Sequence, residues 1–304
     1  MKFTPKYRTE KRISWVAFPL LGLALYAFAS IVGRRLWSRP KIVIVAQSGP
    51  GRLGNQLFQY ASALGISHAK GVEFCVSAEH PFPFDAIFQG PFSKCTQQLP
   101  QIAVVHELGY GIYTDFRLPI CFFPPCYVTV GTYLQSFKYL DQDVRHTFQF
   151  LPAIQQEAAT AIQQIRPHPG SILVGIHVRR GDLEITNYLN QAPVSYFARA
   201  MDFFSHKYDK TVKFVVASDD IPWCQDQGVF DSAAMVHSTP AVDLAILSLC
   251  NHIIMSVGTF GWFAGKFAGG DVVYYEDAIV LDHLTNAGQI LLQDYYPPEW
   301  VPMR

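Results

Sequence analysis

Two adjacent arginines in the segment GIHVRRGD, residues 175–182, give the strongest chemical signal in this sequence. Arg179 and Arg180 follow an apolar run, and each offers a planar fork of N–H donors that matches phosphate oxygens. Gly181 lets the backbone approach a ligand closely or adopt a positive φ. The plainer interpretation is a structural ion pair between one of the two arginines and Asp182. An adhesive Arg-Gly-Asp tripeptide is disfavoured, because it needs an exposed loop tip.

A pair of carboxylates follows another apolar run in the segment ASDD, residues 217–220. Paired carboxylates can bind a metal ion, or they can accept hydrogen bonds from a ligand such as guanine, whose edge presents two N–H donors. Ser218 or Asp219 could instead cap the next turn of the chain. Capping by one residue is compatible with ligand binding by the other acid, so both interpretations stay open.

The segment SVGTFGW, residues 256–262, has the composition of a turn between a strand and a helix. Backbone N–H groups and a hydroxyl at the start of a helix can form a cradle for an anion, which makes Ser256, Gly258 and Thr259 candidate ligand contacts. An ordinary helix cap at Thr259 explains the pattern equally well.

A glycine-rich segment at Gly49–Gly54 matches G-x-G-x-x-G between a predicted strand and a predicted helix, with Glu73 about 20 residues further on. By spacing alone this is a dinucleotide-binding fingerprint. Pro50 between the first two glycines and Arg52 inside the turn weaken the match. A tight turn whose glycines permit close packing is an equally good interpretation.

These motifs lie at the ends of predicted strands. Apolar runs predict strands at residues 42–46, 72–77, 127–130, 172–178, 213–217, 253–257 and 272–275. Helical periodicity predicts helices at residues 56–68, 154–165, 195–208, 242–250 and 260–267. Strands that alternate with helices indicate parallel sheets, whose ligands bind at the carboxyl ends of the strands. The proline- and glycine-containing segment 166–170 separates two predicted α/β domains, residues 42–168 and 169–304.

The formal net charge is zero, but it is unevenly distributed. Residues 1–41 hold nine basic side chains and one acid, so they carry +8 and the remaining residues carry −8. Residues 13–33 contain no charged side chain, and at about 1.5 Å per residue they are long enough to cross a hydrocarbon core of about 30 Å. The pattern favours a cytoplasmic tail at 1–12, a transmembrane signal-anchor at 13–33 and a short stem at 34–41.

Residues 13–33 have two alternative interpretations, a buried helix and a cleaved signal peptide. A buried helix is disfavoured by the charge clusters at both ends, whereas a signal peptide cleaved near Ala27–Ala29 is a stronger competitor. Both flanks carry a charge close to +4, so the positive-inside rule does not set the orientation. The short tail favours a cytosolic N-terminus.

Composition also disfavours several classes of function. A net charge of zero argues against an extended nucleic-acid surface, which needs a basic face. The ten histidines and six cysteines show no His-x-x-x-His or Cys-x-x-Cys spacing, so no metal site is predicted. The segment Asp141–Asp143 fits the D-x-D pattern of metal-dependent sugar transferases, but it precedes no apolar strand and is interpreted as a solvated turn. The cysteines could pair in an oxidising compartment, although the sequence does not give the pairing and contains no Asn-x-Ser/Thr sequon.

Taken together, the motifs resemble those of the α-1,2-fucosyltransferases of glycosyltransferase family 11. The matching segments run in the family's order and cover most of residues 42–300; they are Gly51–Gln56 (GRLGNQ), Gly131–Tyr139 (GTYLQSFKY), Gly175–Asp182, Phe214–Cys224 and Asp243–Gly261. The sequence departs from the family at residues 262–267, where a more aromatic, small-residue stretch is usual, and in its very short stem.

The resemblance implies two facing Rossmann-like domains in a GT-B-like arrangement. It implies inverting, metal-independent transfer of fucose from GDP-fucose to the 2-hydroxyl of a terminal β-galactoside, with no cofactor and no nucleic acid. It also implies a type II Golgi membrane protein with a luminal catalytic domain. The donor would bind the C-terminal half, with Arg179 alone or together with Arg180 on the diphosphate and Asp219 on the guanine. The remaining implied contacts are phosphate contacts at Ser256, Gly258 and Thr259, and residues facing the cleft at Asn55 and Gln56.

Fixed arginines suit this chemistry, because negative charge develops on GDP as the fucosyl–phosphate bond breaks. The acceptor hydroxyl must also lose a proton, and His177 and Asp182 are the nearest candidates for the base. A step that needs no strong base is a further possibility. Two rival hypotheses are a membrane-anchored nucleotide- or glycan-binding protein without catalytic activity, and an NAD-dependent enzyme that uses Gly49–Gly54.

Overall fold

The computed structural model describes residues 41–90, 92, 94–95, 102–121, 125–141, 144–166, 168–183, 187–208, 212–283 and 285–304. Its strands are β1 (Ile42–Ala46), β2 (Glu73–Val76), β3 (Phe88–Gln89), β4 (Ile102–Val105), β5 (Cys126–Val130), β6 (Gln149–Phe150), β7 (Ile172–Val178), β8 (Val212–Ser218), β9 (Ala234–Val236), β10 (His252–Met255), β11 (Val272–Tyr275) and β12 (Val301–Met303). Its α-helices are α1 (Leu53–Lys70), α2 (Pro152–Ile165), α3 (Val194–Lys207), α4 (Ile221–Asp226), α5 (Pro240–Ser248), α6 (Thr259–Ala268) and α7 (Leu292–Tyr295). Single 3₁₀ turns lie at Pro83–Ala86, Phe137–Tyr139, Gly228–Phe230 and Glu276–Ala278.

Two parallel sheets form the framework of the molecule. The first has the strand order β2-β1-β5-β4, and the second has the order β12-β11-β10-β7-β8-β9. All pairings within these two sheets are parallel, whereas β3 and β6 form a separate antiparallel pair. The α/β fold with parallel sheets, predicted from the alternation of strands and helices, is therefore confirmed. The strands of the first sheet precede residue 168, and those of the second sheet follow it.

Strand β7 lies in the interior of the second sheet, and its sequence ILVGIHV is apolar apart from one histidine because both faces of the strand are covered. Its last residue, Val178, pairs with Ser218 of β8, and His177 pairs with Met255 of β10. The carboxyl ends of three neighbouring strands therefore meet at one edge. The motifs that follow them, at Arg179, Asp219 and Ser256, must lie close together.

Most predicted elements are present within two residues of their predicted bounds, but α1 begins earlier. It starts at Leu53, three residues before its predicted start. It ends at Lys70, and the next residue, Gly71, has a φ of 62° and caps the helix in the left-handed conformation. The GRLGNQ motif therefore overlaps the first turn of α1 and does not form a separate loop. The sequence did not predict β3, β4, β6, β9, β12, α4 or α7.

Packed side chains join the two halves of the molecule. Phe58 of α1 contacts Trp262 and Phe263 of α6, with ring centroids 4.5 and 4.9 Å apart. One hydrophobic cluster contains buried residues of both sheets. Lys138 pairs with the buried Asp294, which also accepts a hydrogen bond from the backbone N–H of Tyr113 at 2.8 Å. These contacts hold the two halves of the molecule in a fixed position relative to each other.

Two disulfides lie in the first half of the chain, Cys75–Cys95 and Cys121–Cys126, while Cys224 and Cys250 are buried thiols. The predicted tail, transmembrane segment and stem lie outside the described residues, except for Lys41 at the end of the stem. Among the residues that the structure describes, no helix combines the length and the apolar character needed to cross a membrane.

Candidate active site

A cavity of about 520 Å³ lies between the carboxyl edges of the two sheets. Its walls come from the start of α1, the ends of β7 and β8, and the starts of α5 and α6. This volume is within the range of small-molecule sites. The polar residues that line it are Arg52, Asn55, His177, Arg179, Ser218, Asp219, His237, Ser238, Asp243 and Thr259.

Arg179 is the central cation of this cavity, and its position is fixed from three directions. Its backbone N–H donates to the hydroxyl of the fully buried Ser256 at 2.9 Å. Its Nε and Nη2 atoms donate to the two carboxylate oxygens of Asp182 at 2.9 and 2.8 Å. Gly258 has a φ of 97°, and a Cβ atom there would lie 2.4 Å from Nη1 of Arg179. Only glycine allows the guanidinium to lie against this turn.

The charge of Arg179 is secured by its neighbours. Burial lowers the pKa of its guanidinium, but the hydrogen bonds and charge of Asp182 outweigh burial, and Asp219 and Tyr188 add smaller upward contributions, so the pKa is raised overall. Only 21% of the side chain is exposed. Because a partly desolvated arginine interacts strongly with an anion, Arg179 is the residue best placed to bind a phosphate in the cavity.

Asp182 binds a second arginine, which comes from the first half of the chain. Nη2 of Arg52 donates to Oδ2 of Asp182 at 2.7 Å, and the Arg52 side chain is 70% exposed. Hydrogen bonding from Arg179 is the largest effect on the carboxyl group and, with the charges of both arginines, lowers the pKa of Asp182 despite partial burial. A carboxylate held in this way is a poor proton acceptor. Its evident role in this geometry is to align two guanidinium groups beside the cavity.

His177, the second candidate base, lines the cavity but is otherwise buried. Its Nδ1 atom has no hydrogen-bond partner among the described residues, and its ring packs against Phe260 at 5.3 Å between centroids. Burial, and then the charges of Arg179 and Arg52, lower its pKa to about 3. The imidazole is therefore neutral at physiological pH, and it is too weakly basic to withdraw a proton from a hydroxyl group efficiently.

Asn55 connects the two halves of the site. Its Oδ1 atom accepts hydrogen bonds from the hydroxyl of Thr259 at 2.8 Å and from Nε2 of Gln135 at 3.1 Å. The neighbouring Gly54 permits this approach, since a Cβ atom there would lie 2.5 Å from the backbone nitrogen of Phe260. Thr259 and Phe260, the first two residues of α6, therefore line the cavity beside Asn55. Gln56, which the resemblance also assigns to the cleft, is half-buried and does not line the cavity.

The two carboxylates after β8 have different roles. Asp220 caps α4 by accepting a hydrogen bond from the N–H of Trp223 at 3.1 Å, so the helix cap is not at Ser218 or Asp219, where the capping interpretation placed it. Asp219 lines the cavity and accepts from the backbone N–H of Arg180 at 2.8 Å. The guanidinium of Arg180 lies 3.8 Å from the ring centroid of Trp223 and does not line the cavity. Of the two adjacent arginines, Arg179 is therefore the cavity residue.

Sequence reasoning missed several cavity residues, of which Asp243 is the most informative. This side chain is only 8% exposed, and its Oδ1 atom accepts from the backbone N–H of Ser238 at 2.9 Å. Burial is the main cause that raises the pKa of Asp243. The sequence carried a signal for it, because Asp243 is the one acid in the apolar helix PAVDLAILS. Gln135 and Arg52 were inside recognised motifs but were given no role.

The dinucleotide interpretation of Gly49–Gly54 does not fit the structure. The glycine-rich segment follows the carboxyl end of β1, whereas Glu73 is the first residue of β2 and lies at the amino edge of the same sheet. There its carboxylate pairs with Lys41 at 3.0 Å. An acid that binds a ribose must lie at the carboxyl edge, so the spacing matched but the position does not.

Two further features are separate from this site. In the D-x-D segment, Asp141 pairs with His68 at 2.9 Å, and the other two residues lie outside the described part of the chain. A more open cavity of about 690 Å³ lies beside residues 275–281, and Arg304 in its wall is already paired with Glu276 at 2.9 Å and Asp277 at 3.4 Å. Neither feature presents an arrangement comparable to that around Arg179.

The fold and the site define an α/β protein with a cavity of about 520 Å³, lined by two arginines, between the carboxyl edges of two parallel sheets. A family model for glycosyl transferase family 11 matches residues 112–304. The chain belongs to this family and is a glycosyltransferase, which confirms the resemblance noted in the sequence.

Individual relatives support the same assignment. The chain is 30% identical over 283 residues to galactoside alpha-(1,2)-fucosyltransferase 1 of Sus scrofa, covering 83% of this chain and 72% of the relative. It is 31% identical over 291 residues to the protein of that name from Homo sapiens, with the same coverage. Among solved structures, it is similar to POFUT1 in complex with GDP, with a TM-score of 0.52 and 12% identity over 77% of this chain and 98% of the other. This last similarity concerns the fold alone.

Proposed function

We propose that this glycosyltransferase transfers L-fucose from GDP-fucose to the 2-hydroxyl of a terminal β-galactoside, with inversion at the anomeric carbon. The names of the family 11 relatives support fucose as the sugar and a galactoside as the acceptor. One observation carries the proposal: Arg179 and the start of α6 face one cavity together with Arg52 and Asn55 of the other half. Such convergence suits a sugar nucleotide, whose diphosphate needs cations and backbone donors.

In the proposed complex, the diphosphate lies beside Arg179 at the start of α6. Arg52 is close enough to join it by exchanging its exposed ion pair with Asp182 for a phosphate oxygen. Gly258 and Thr259 contribute the turn and the first helical N–H groups, whereas Ser256 acts through its hydrogen bond to the backbone of Arg179. The α/β domain predicted at residues 169–304 thus supplies most of the donor site, and residues 42–168 supply the facing wall, as in a GT-B-like arrangement.

The guanine base has two candidate carboxylates at the other end of the cavity. Asp219 is the residue that the sequence resemblance assigns, and it already accepts one hydrogen bond from a backbone N–H. Asp243 is more deeply buried, and its carboxyl group would benefit more from the two N–H donors of a guanine edge. We therefore include both residues in the base site and distinguish them by experiment.

The proposed reaction needs no strong base. The bond between C1 of fucose and the phosphate oxygen breaks, its electron pair leaves with GDP, and the acceptor oxygen bonds to C1 from the opposite face. Arg179 stabilises the charge that develops on the diphosphate. Since the pKa values of Asp182 and His177 are both lowered, we propose that the hydroxyl proton passes to solvent after the C–O bond has largely formed.

Two arginines at the leaving group also support metal-independent catalysis without a cofactor. The test is turnover in excess EDTA: unchanged GDP release agrees with the proposal, while a complete loss that Mn²⁺ restores contradicts it.

The proposed setting is the lumen of the Golgi, with a single-pass type II topology and residues 13–33 in the membrane. The uncharged segment between two basic clusters supports the anchor, and the disulfides Cys75–Cys95 and Cys121–Cys126 support an oxidising compartment. Protease treatment of sealed microsomes tests the topology. The globular part is expected to be protected, and its digestion would contradict a luminal domain.

Catalysis itself is tested with the full-length chain in detergent micelles. GDP-fucose and methyl β-galactoside are added, and GDP release is measured with each substrate omitted in turn. The proposal predicts release that depends on both substrates and is lost in Arg179→Ala. Binding of GDP without any release over the background hydrolysis rate would instead indicate a binding protein.

A further inference from the structure

The geometry of the donor site determines where the acceptor must lie. In the proposed complex, the nucleoside lies towards Asp219 and Asp243, and the diphosphate lies at Arg179, so the fucose projects to the side of Arg179 away from the base. Tyr110 does not line the nucleotide cavity, but its backbone oxygen accepts a hydrogen bond from the N–H of Gln135 at 2.7 Å, and the side chain of Gln135 donates to the cavity residue Asn55 at 3.1 Å. Tyr188 contributes to the raised pKa of Arg179. A group of tyrosines therefore lies next to the cavity without lining it.

Three half-buried tyrosines lie together here, and we call Tyr110, Tyr133 and Tyr188 the tyrosine cluster. Hydrogen bonds fix their positions. The rings of Tyr110 and Tyr133 meet edge to face with centroids 6.1 Å apart. The hydroxyl of Tyr110 donates to Oδ1 of Asn286 at 2.6 Å, and Nδ2 of Asn286 donates to the backbone oxygen of Tyr188 at 2.6 Å. Asn286 thus holds two members of the cluster together.

The loop that carries Tyr133 is held by one carboxylate and contains two residues with a positive φ. The backbone N–H groups of residues 132, 133 and 134 all donate to the carboxylate of Glu107, at 2.8, 2.9 and 2.9 Å. Gly131 has a φ of 59°, and Leu134 has a φ of 53°, which is costly for a residue with a branched side chain. Strained backbone that is held this firmly is typical of binding and catalytic sites.

The same loop is connected to the donor site. The backbone N–H of Gln135 donates to the backbone oxygen of Tyr110 at 2.7 Å. The side chain of Gln135 donates to Oδ1 of Asn55, which also accepts a hydrogen bond from the hydroxyl of Thr259 at the start of α6. Loop, tyrosine cluster and proposed phosphate cradle are thus parts of one hydrogen-bonded network. A sugar bound on the cluster would be held in a fixed position relative to the donor.

We propose that the tyrosine cluster is the acceptor subsite, on which the terminal pyranose of the acceptor stacks with its apolar C–H face. Partly exposed aromatic rings cover such a face, and the phenol hydroxyls and Asn286 supply hydrogen bonds to the sugar hydroxyls around it. The proposal rests on the proposed function, because the position of the donor defines the acceptor side of Arg179. It goes further by naming the residues that recognise the acceptor.

Direct binding measurements test this subsite without requiring turnover. Methyl β-galactoside is titrated into the full-length protein and followed by saturation-transfer NMR, while GDP affinity is measured by calorimetry. Tyr133→Ala and Tyr188→Ala are each expected to weaken galactoside binding about five- to tenfold, with GDP affinity unchanged. Tyr133→Phe, which keeps the ring, is expected to retain most of the binding. Tyr208→Ala, at the opposite edge of the second sheet beside Asp271, is the control and is expected to bind both ligands normally.

The outcomes separate this inference from the proposed function. If both alanine variants bind methyl β-galactoside as wild type does, the subsite is wrong even if the enzyme transfers fucose. If the galactoside binds wild type and is lost in the variants but no GDP is released from GDP-fucose, the subsite stands and the proposed function fails. If Tyr133→Ala does not fold, Tyr188→Ala and Tyr133→Phe decide the question by the same criteria.

Discussion

The contact between Gly258 and Arg179 allows a sharp test, because a single methyl group is expected to displace the proposed phosphate ligand. A Cβ atom at position 258 would lie 2.4 Å from Nη1 of Arg179, whereas a nonbonded contact needs about 3.5 Å. In Gly258→Ala the guanidinium must therefore move by roughly 1 Å away from the start of α6. Loss of one charged hydrogen bond to phosphate costs about 1.5–3 kcal/mol, which corresponds to about a 10- to 150-fold lower kcat/KM for GDP-fucose.

Gly71→Ala is the matched control for this substitution. Gly71 also has a positive φ, 62°, but a Cβ atom there meets nothing within 4 Å. Gly71→Ala is expected to lose about 1–2 kcal/mol of folding stability from backbone strain, measured by urea unfolding. Gly258→Ala is expected to lose at least as much, because a φ of 97° with a ψ of 164° lies in a region that is nearly restricted to glycine. Only Gly258→Ala is expected to lose turnover and GDP affinity. If folded Gly258→Ala binds GDP and turns over like Gly71→Ala, the position assigned to Arg179 is refuted.

Three other predictions concern neighbouring groups. Arg179→Ala is expected to lower kcat/KM more than about 100-fold, because Arg179 lines the cavity. Arg180→Ala is expected to lower it less than about tenfold, because Arg180 does not. Equal losses would contradict the different roles of the two arginines. Wild type is expected to prefer GDP over IDP, which lacks the 2-amino group. The variant that loses this preference, Asp219→Asn or Asp243→Asn, identifies the carboxylate that binds guanine. If neither variant loses it, the proposed base site is wrong. Burial holds the pKa of His177 at about 3, below its ordinary 6.5, so the unfolded chain takes up a proton as the pH falls below 6.5. The stability present above that pH is therefore lost as the pH falls towards 3, and His177→Gln is expected to flatten this loss in urea unfolding measured across the acid range.

The sequence predicted the framework of the site because that framework follows from local rules. Apolar strands alternate with helices, so parallel sheets were expected, and polar motifs at 179, 219 and 256 were expected to meet at the carboxyl edge. The register of β7 with its two neighbours brings them together as expected. The capping alternative named the wrong residue, since Asp220 and not Ser218 or Asp219 caps α4, and Asp219 lines the cavity.

What could not be predicted depends on the direction of side chains and on long-range contacts. Which of two successive arginines faces the cavity is decided by the turn after β7 and by the ring of Trp223, and neither has a local signature. As the one acid in an apolar helix, Asp243 is conspicuous in the sequence, but its position beside the cavity depends on where α5 begins relative to β8. Glu73 had the right spacing for a dinucleotide site but lies at the wrong edge of the sheet.

The tyrosine cluster could not be predicted from the sequence for a related reason. Its members come from three distant segments, around residues 110, 133 and 188, and the first of these lies in a stretch with weak periodicity. Only the packed fold brings them together. Residues 107 and 135, which hold the loop of Tyr133 in place, act through backbone hydrogen bonds that no residue pattern reveals.

The linkage of the product is the most direct test of the central claim. The full-length protein is incubated with ¹³C-labelled GDP-fucose and methyl β-galactoside, and the product is characterised by two-dimensional NMR. The account predicts a disaccharide in which fucose C1 is joined to O2 of galactose with the α configuration, opposite to the β configuration of the donor. A product linked at another hydroxyl, a retained configuration, or GDP release with free fucose as the only sugar product would contradict it.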